Sequence, residues 1–123
     1  MCTSAVPRLR KNNNNNQFIL FMQTITVEEL KAKIDAGESL HLVDVREPHE
    51  NAEFNIGGLL LPLGKVQTMQ TDEIDDLKDD TVYIYCRSGN RSGQACLILE
   101  TMGYKNVVNV SGGMLAWQER IAK

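Results

Sequence analysis

A short polar segment headed by a cysteine is the part of this sequence best suited to chemistry. It contains two arginines, two serines, a glycine and an asparagine after the cysteine: Cys86, Arg87, Ser88, Gly89, Asn90, Arg91 and Ser92. A cysteine thiolate is a strong nucleophile, and the planar guanidinium of arginine suits an oxyanion. The segment therefore predicts a nucleophilic Cys86 that meets an anionic substrate, with Arg91 as the main anion-binding side chain.

The elements around this segment predict how its backbone is arranged. Residues 81–85 read as a β-strand and residues 92–102 as a helix with one apolar stripe, so the segment joins a strand to a helix. Backbone N–H groups at such a junction form an anion-binding nest. Gly89 and Asn90 best tolerate the positive φ of a tight curl. We expect inward-facing amides and two arginines to lower the pKa of Cys86.

Several neighbouring side chains allow more than one interpretation. Ser92 either donates its hydroxyl to the Cys86 sulfur or caps the following helix. Arg87 either faces the substrate or is solvated. Cys96 lies on the apolar stripe of the helix and is predicted to be core. The two histidines, His41 and His49, have no matched partner, so the sequence does not support a Cys-His dyad.

Strands alternate with helices over residues 23–123. Strands are expected near 23–25, 40–45, 59–61, 81–85 and 106–110, and helices after the Thr26–Glu29 capping box, from Pro48, across 65–77, across 92–102 and after Gly112-Gly113. This order predicts an α/β fold with a largely parallel sheet and helices on both faces. Reacting groups then gather beyond the carboxyl ends of the strands, where Cys86 stands.

Composition limits the classes of function. The chain has 123 residues, enough for one α/β domain, and no apolar run near the ~20 residues of a membrane span. Only ten of its 13 basic residues but all 16 acidic ones lie beyond residue 22, a net charge of −6 that disfavours nucleic acid as a partner. Three widely spaced cysteines without a CxxC pair predict neither disulfides nor a metal site, and a reducing, cytoplasmic setting. We expect no cofactor.

The first 22 residues differ from the rest. Arg8, Arg10 and Lys11 are followed by five asparagines, Asn12–Asn16, and then by a short apolar run. Such a polar tract buries too little apolar surface to fold by itself. We predict that residues 1–22 form a disordered or loosely ordered extension and that residues 23–123 form the domain.

Four ordered motifs resemble the rhodanese-like family. They are Val43-Asp44-Val45-Arg46-Glu47-Pro48, Ile56-Gly57-Gly58 with Leu61-Pro62-Leu63, the Cys86 to Ser92 segment, and Val110-Ser111-Gly112-Gly113-Met114-Leu115-Ala116-Trp117. The resemblance covers residues 23–123 and implies a five-stranded parallel sheet. It also implies a sulfurtransferase that moves a sulfane sulfur from thiosulfate or a similar donor, as a Cys86 persulfide, to cyanide, a thiol or a protein acceptor. Asp44 and Arg46 match the family's Asp-x-Arg, whose part is mostly structural.

The resemblance leaves two other functions open. A persulfide carrier that receives sulfur from a partner protein would use the same loop without turning over thiosulfate. Phosphatases and arsenate reductases also use a reactive cysteine and an arginine, but the phosphatase relatives have five residues between the two, whereas four lie between Cys86 and Arg91 here. Tyr85 stands where those enzymes have histidine. Many family members also carry His-Ile before the second motif, and this chain has Asn55-Ile56.

Overall fold

The computed structural model describes residues 8–11 and 18–122, with the backbone alone for residues 8–11 and 18–21. The strands are β1 (Arg8–Lys11), β2 (Phe18–Phe21), β3 (Gln23–Ile25), β4 (His41–Asp44), β5 (Leu59–Leu60), β6 (Thr81–Tyr85) and β7 (Asn106–Val110). The α-helices are α1 (Val27–Asp35), α2 (Pro48–Glu53), α3 (Leu63–Gln67), α4 (Asn90–Thr101) and α5 (Gly113–Arg120), with a 3-10 helix at Asp72–Leu77.

Five of these strands form one parallel sheet in the order β3-β7-β6-β4-β5. Strand β6 lies at its centre between β4 and β7, so all three carboxyl ends meet at one edge. The predicted α/β class, the five parallel strands and the helical cover on both faces are confirmed. Cys86, the residue after β6, therefore stands at the middle of the edge where parallel sheets place their sites.

Two apolar clusters cover the two faces of the sheet, as the nearly continuous apolar strands require. One contains Val43, Ile84 and Val107 from the strands together with Leu99 from α4 and Ile74 from the 3-10 helix. The other packs strand side chains against α1 and α5; its members include Tyr83, Tyr85, Val108, Leu30 and Trp117. Since Cys86 belongs to the first cluster, one side of its side chain is fixed by the core.

Local sequence signals set several helix ends. Thr26 caps α1: its hydroxyl accepts the Glu29 amide at 3.0 Å, and the Glu29 carboxylate accepts the Thr26 amide at 2.9 Å. The capping box predicted for this position is therefore confirmed. Helix α4 begins at Asn90, two residues earlier than the sequence pattern indicated, so Arg91 lies in its first turn.

One predicted helix is divided. The spacing of apolar residues over 65–77 indicated a single helix, but the structure has α3 up to Gln67 and a separate 3-10 helix from Asp72. Thr68 bonds back to the Gly64 carbonyl through its hydroxyl, and Met69 adopts a φ of 60°, which ends the helical path. Val66 and Ile74 still reach the same cluster, so burial is satisfied without a continuous helix.

The N-terminal segment forms its own small sheet where it is described. Strands β1 and β2 pair antiparallel, with Arg8 opposite Phe21, and neither joins the five-stranded sheet. We predicted disorder or loose order for residues 1–22. Within that range the structure has two paired strands, Arg8–Lys11 and Phe18–Phe21. Residues 1–7 and 12–17, with the whole asparagine tract, lie outside the described residues, and the domain boundary near residue 22 stays a prediction.

Candidate functional site

The Cys86 loop (Cys86–Arg91) curls around the sulfur of its own first residue. The Gly89 amide donates to Cys86 Sγ at 3.1 Å and the Ser92 amide donates to it at 3.3 Å. Gly89 precedes α4 with a φ of 104° and supplies no side-chain cap, so the sulfur takes the place of a helix cap for the Ser92 amide. Asn90, also expected to have positive φ, is instead the first residue of α4.

These donors shape the acidity of the thiol. Burial raises the pKa of Cys86, but hydrogen bonds from the Ser92 hydroxyl and from the amides of Ser92, Gly89 and Ser88 outweigh it and hold the pKa below its ordinary value. The Ser92 oxygen lies 3.4 Å from Sγ. Of the two interpretations of Ser92, the structure has the contact between its hydroxyl and the sulfur; Ser92 does not cap α4, because it lies inside the helix and Gly89 is the N-cap residue. The arrangement stabilises a negative charge on sulfur.

Helix α5 holds the first two peptide units of the loop. Its first amides bind the outer side of the loop: Met114 N–H donates to the Cys86 carbonyl and Leu115 N–H to the Arg87 carbonyl, both at 2.9 Å. Gly113 makes this approach possible, because a Cβ there would lie 2.7 Å from the Arg87 carbonyl oxygen and closer still to that of Cys86. The Arg87 carbonyl shares its peptide unit with the Ser88 amide, so holding this carbonyl outward turns the Ser88 N–H towards the sulfur.

The loop also determines how the sulfur can be reached. Cys86 is completely buried, whereas Arg87, Ser88 and Asn90 of the same loop are exposed. The opposite side of the side chain is the hydrophobic cluster that includes Ile84. A reactant therefore approaches Sγ from the loop side.

Arg91 has a partner that sequence analysis missed. Its two terminal nitrogens donate to the two carboxylate oxygens of Glu50 in α2, each at 2.8 Å. Hydrogen bonding from Arg91 lowers the pKa of Glu50 to about 2, so the pair is charged at neutral pH. The predicted anion-binding guanidinium is thus neutralised by a carboxylate 41 residues earlier in the chain. In the sequence, Glu50 is recognisable only as part of the Glu47-x-x-Glu50 capping box of α2. That pattern predicts a helix start and gives no indication of a functional site.

Arg87 belongs to the exposed part of the loop. Its side chain is exposed and lines a cavity of about 270 Å³ between α2 and α5, together with Glu53, Phe54, Leu115 and Gln118. Glu50, the partner of Arg91, lines the same cavity, but Arg87 forms no ion pair of its own among the described residues.

Asp44 and Arg46 form a buried pair beside the site. Arg46 donates to both oxygens of Asp44, at 2.9 and 2.8 Å, and to the Phe54 carbonyl at 2.6 Å. Asn51 of α2 also donates to Asp44, at 2.9 Å. The pair ties the end of β4 to the middle and the C-terminal end of α2, and it thereby holds the helix that carries Glu50. Neither side chain contacts the Cys86 sulfur, which supports the structural part expected for them.

A second missed residue lies beneath the loop. Asn109 of β7 is 7% exposed; its amide nitrogen donates to the Gly89 carbonyl at 3.2 Å, and its carbonyl oxygen accepts the Ser92 hydroxyl at 2.5 Å. It therefore touches both residues whose amides bind the sulfur. The only signal in the sequence is a polar residue at an inward position of the run Val107-Val108-Asn109-Val110.

The other cysteine described by the structure and the possible metal ligands give no second candidate site. Cys96 is buried in the core, as predicted, and burial raises its pKa to about 12. Within the described part of the chain no three His, Cys, Asp or Glu side chains are grouped to hold a metal ion. Nor does any helix over those residues have the length and apolar character needed to cross a bilayer.

Comparison with known proteins points in one direction. The family model described as rhodanese-like domain matches residues 26–120. The putative sulfurtransferase YtwF of Bacillus subtilis is 39% identical over 99 residues, which cover 79% of this chain and 91% of that protein. The putative sulfur carrier protein YrkF of the same organism is 39% identical over 94 residues, covering 76% of this chain; the chain spans only 49% of that relative.

A solved structure agrees with the sequence matches. The crystal structure of a rhodanese-like domain protein from Staphylococcus aureus superposes with a TM-score of 0.69 at 34% identity. The alignment covers 78% of this chain and 91% of that one. The shared region thus contains nearly all of the neighbour.

Proposed function

The chain belongs to the rhodanese-like family, and on that premise we propose that it is a sulfurtransferase that carries a sulfane sulfur as a persulfide on Cys86. Relatives named as a sulfurtransferase and as a sulfur carrier support a role in sulfur transfer generally. The observation that carries the proposal is the pair of amides, from Gly89 and Ser92, that donate to Cys86 Sγ at 3.1 and 3.3 Å.

The chemistry follows from a thiolate held by hydrogen-bond donors. Cys86 attacks the outer sulfur of thiosulfate; an S–S bond forms to Sγ while the S–S bond of thiosulfate breaks, and sulfite leaves with the electron pair. Cyanide, a thiol or a protein acceptor then attacks the outer persulfide sulfur, and Cys86 leaves as a thiolate. Negative charge stays near the loop in both half-reactions, so the amides of Ser88, Gly89 and Ser92 stabilise it without rearranging.

Mass spectrometry tests the first half-reaction directly. After incubation with thiosulfate, the intact protein should gain the mass of one sulfur atom, and cyanide should remove it. Cys86→Ser should abolish the addition, whereas Cys96→Ser, at the matched buried cysteine, should retain it. An addition that survives in Cys86→Ser would place the chemistry elsewhere and refute the proposal.

The Arg91–Glu50 pair favours a second candidate function. A guanidinium already bound to both oxygens of a carboxylate attracts a free dianion only weakly, because the pair is neutral overall. A module that receives its sulfur from a protein persulfide does not depend on such attraction. The chain would then act as a persulfide carrier, with a partner protein as its sulfur donor.

Two comparisons separate these candidates. If thiosulfate is the donor, Arg91→Ala should raise the thiosulfate concentration needed for half-maximal persulfide formation far more than Arg87→Ala does. If the chain is a carrier, neither variant should change it much, and a persulfidated cysteine desulfurase should load Cys86 faster than thiosulfate at equal concentration. Hydrolysis of an aryl phosphate or reduction of arsenate by the wild type would instead revive the phosphatase or reductase alternative.

A further inference from the structure

The side chain of Asn109 makes two hydrogen bonds, and together they fix its orientation. Its amide nitrogen donates to the Gly89 carbonyl, so its oxygen is the atom that faces Ser92. An amide oxygen only accepts, and the Ser92 hydroxyl has one hydrogen, so this hydrogen points at Asn109. The Ser92 oxygen then presents a lone pair to Cys86 Sγ, 3.4 Å away, and the S–H of a neutral thiol is the donor in that contact.

Ionisation of Cys86 requires this arrangement to change. When the Sγ–H bond breaks, the proton leaves to water and the electron pair stays on sulfur. The thiolate is only an acceptor, and a lone pair of Ser92 directed at it would be repulsive. The Ser92 hydroxyl keeps its own O–H bond and rotates its hydrogen from Asn109 to Sγ.

We propose that Asn109 is a positioning residue for the reactive sulfur, holding the Ser92 hydroxyl hydrogen away from the Cys86 thiol and releasing it to the thiolate or persulfide. The inference rests on the proposed function in that Cys86 is the reacting atom. Asn109 does not touch Sγ; it acts through Ser92, and its competing hydrogen bond opposes ionisation of the thiol. The loop keeps a second anchor without it, because the Gly89 carbonyl also accepts the Gly93 amide at 3.0 Å.

Other charged and titratable groups also face the sulfur and must stay constant in any test. Arg91 and Cys96 of α4 interact electrostatically with Cys86, and Glu50 of α2 acts through Arg91. From α5, Met114 binds the Cys86 carbonyl and brings no charge. Substitution of the neutral Asn109 by another neutral residue leaves all of these groups in place.

NMR titration of the cysteine Cβ resonances in the full chain, without any sulfur donor, tests the inference. Asn109→Leu removes the competing acceptor, so the Cys86 midpoint should fall by about half a pH unit or more. Asn109→Asp supplies a stronger acceptor and a negative charge, so the midpoint should rise. Asn106→Leu, at the other end of β7, should leave it unchanged, and the Cys96 resonance serves as an internal control.

A double substitution separates positioning from loop damage. In the Ser92→Ala background, Asn109→Leu should no longer shift the Cys86 midpoint, because the hydroxyl through which it acts is gone. Shifts of the same sign in Asn109→Leu and Asn109→Asp, or a Leu effect that persists without the Ser92 hydroxyl, would overturn the inference. If Asn109→Leu does not fold, Asn109→Ser replaces it, since the shorter side chain cannot bridge Ser92 and Gly89. Because no donor is present, the result stands apart from whether persulfide forms.

Discussion

Cys86 and Cys96 are both fully buried thiols, and both belong to the same hydrophobic cluster. Burial raises the pKa of Cys96 to about 12, and among the described residues no amide or hydroxyl donates to its sulfur. Cys86 experiences the same penalty, yet donors from Ser88, Gly89 and Ser92 bring its pKa below the ordinary value.

The contrast teaches that burial alone does not decide whether a cysteine reacts. Cys96 lies within α4, where the backbone amides are used by the helix itself. Cys86 lies before the same helix, where amides have no helical partner and are free to bind the sulfur. Two thiols ten residues apart therefore differ in acidity because only the sulfur of Cys86 accepts hydrogen bonds from backbone amides.

Substitution of Gly113, where α5 approaches the Cys86 loop, should reduce activity more than any other change outside that loop. Gly113→Ala should reduce persulfide formation by about a hundredfold or more, because the new Cβ displaces the Cys86 and Arg87 carbonyls and the loop amides turn away from the sulfur. Gly37→Ala is the matched control, since Gly37 also has positive φ but a Cβ there meets nothing within 4 Å. Both variants carry a backbone cost of about 1–2 kcal/mol, and only the first should lose activity. Equal activity losses in a persulfide assay would contradict the role given to α5.

The raised pKa of Cys96 should make the stability of the protein depend on pH in alkaline solution. Its folded pKa is about 12, whereas an unfolded thiol ionises near ~8.5, so the unfolded state releases its proton first as pH rises. The free energy of unfolding should therefore fall above that pH, by about 2 kcal/mol near pH ~10. Cys96→Ala should remove this part of the slope in urea denaturation measured across alkaline pH. An unchanged slope would show that Cys96 titrates normally in the folded protein.

The smallest expected effect concerns charge near Cys86. Glu50→Gln should lower the thiosulfate concentration for half-maximal persulfide formation by roughly threefold to tenfold, because Arg91 loses the carboxylate that neutralises it. Glu119→Gln, at an exposed acid of α5, is the control and should have little effect. A higher requirement for thiosulfate in Glu50→Gln would mean that Glu50 positions Arg91 for the anion rather than competing with it.

Much of the architecture could be predicted from the sequence, because the signals are local. Strand β6 is a run of β-branched and aromatic residues, α1 begins at a capping box, and Gly89 supplies the positive φ before α4. These features place Cys86 between a strand and a helix N-terminus without reference to any distant residue. The helix expected over 65–77 was wrong for a reason that is also local, the back-bonding of Thr68 and the φ of Met69.

The amino-acid sequence was enough to predict a cysteine at the end of a strand of a parallel sheet, followed by a loop that can curl. The groups around its sulfur could be identified only from the tertiary structure. Glu50 meets Arg91, Asn109 meets Ser92, and α5 binds the loop carbonyls, all through contacts between residues far apart in the chain. Such contacts depend on how β4, β6 and β7 are ordered in the sheet, because hydrogen bonds act over about 3 Å and require atoms that folding alone brings together.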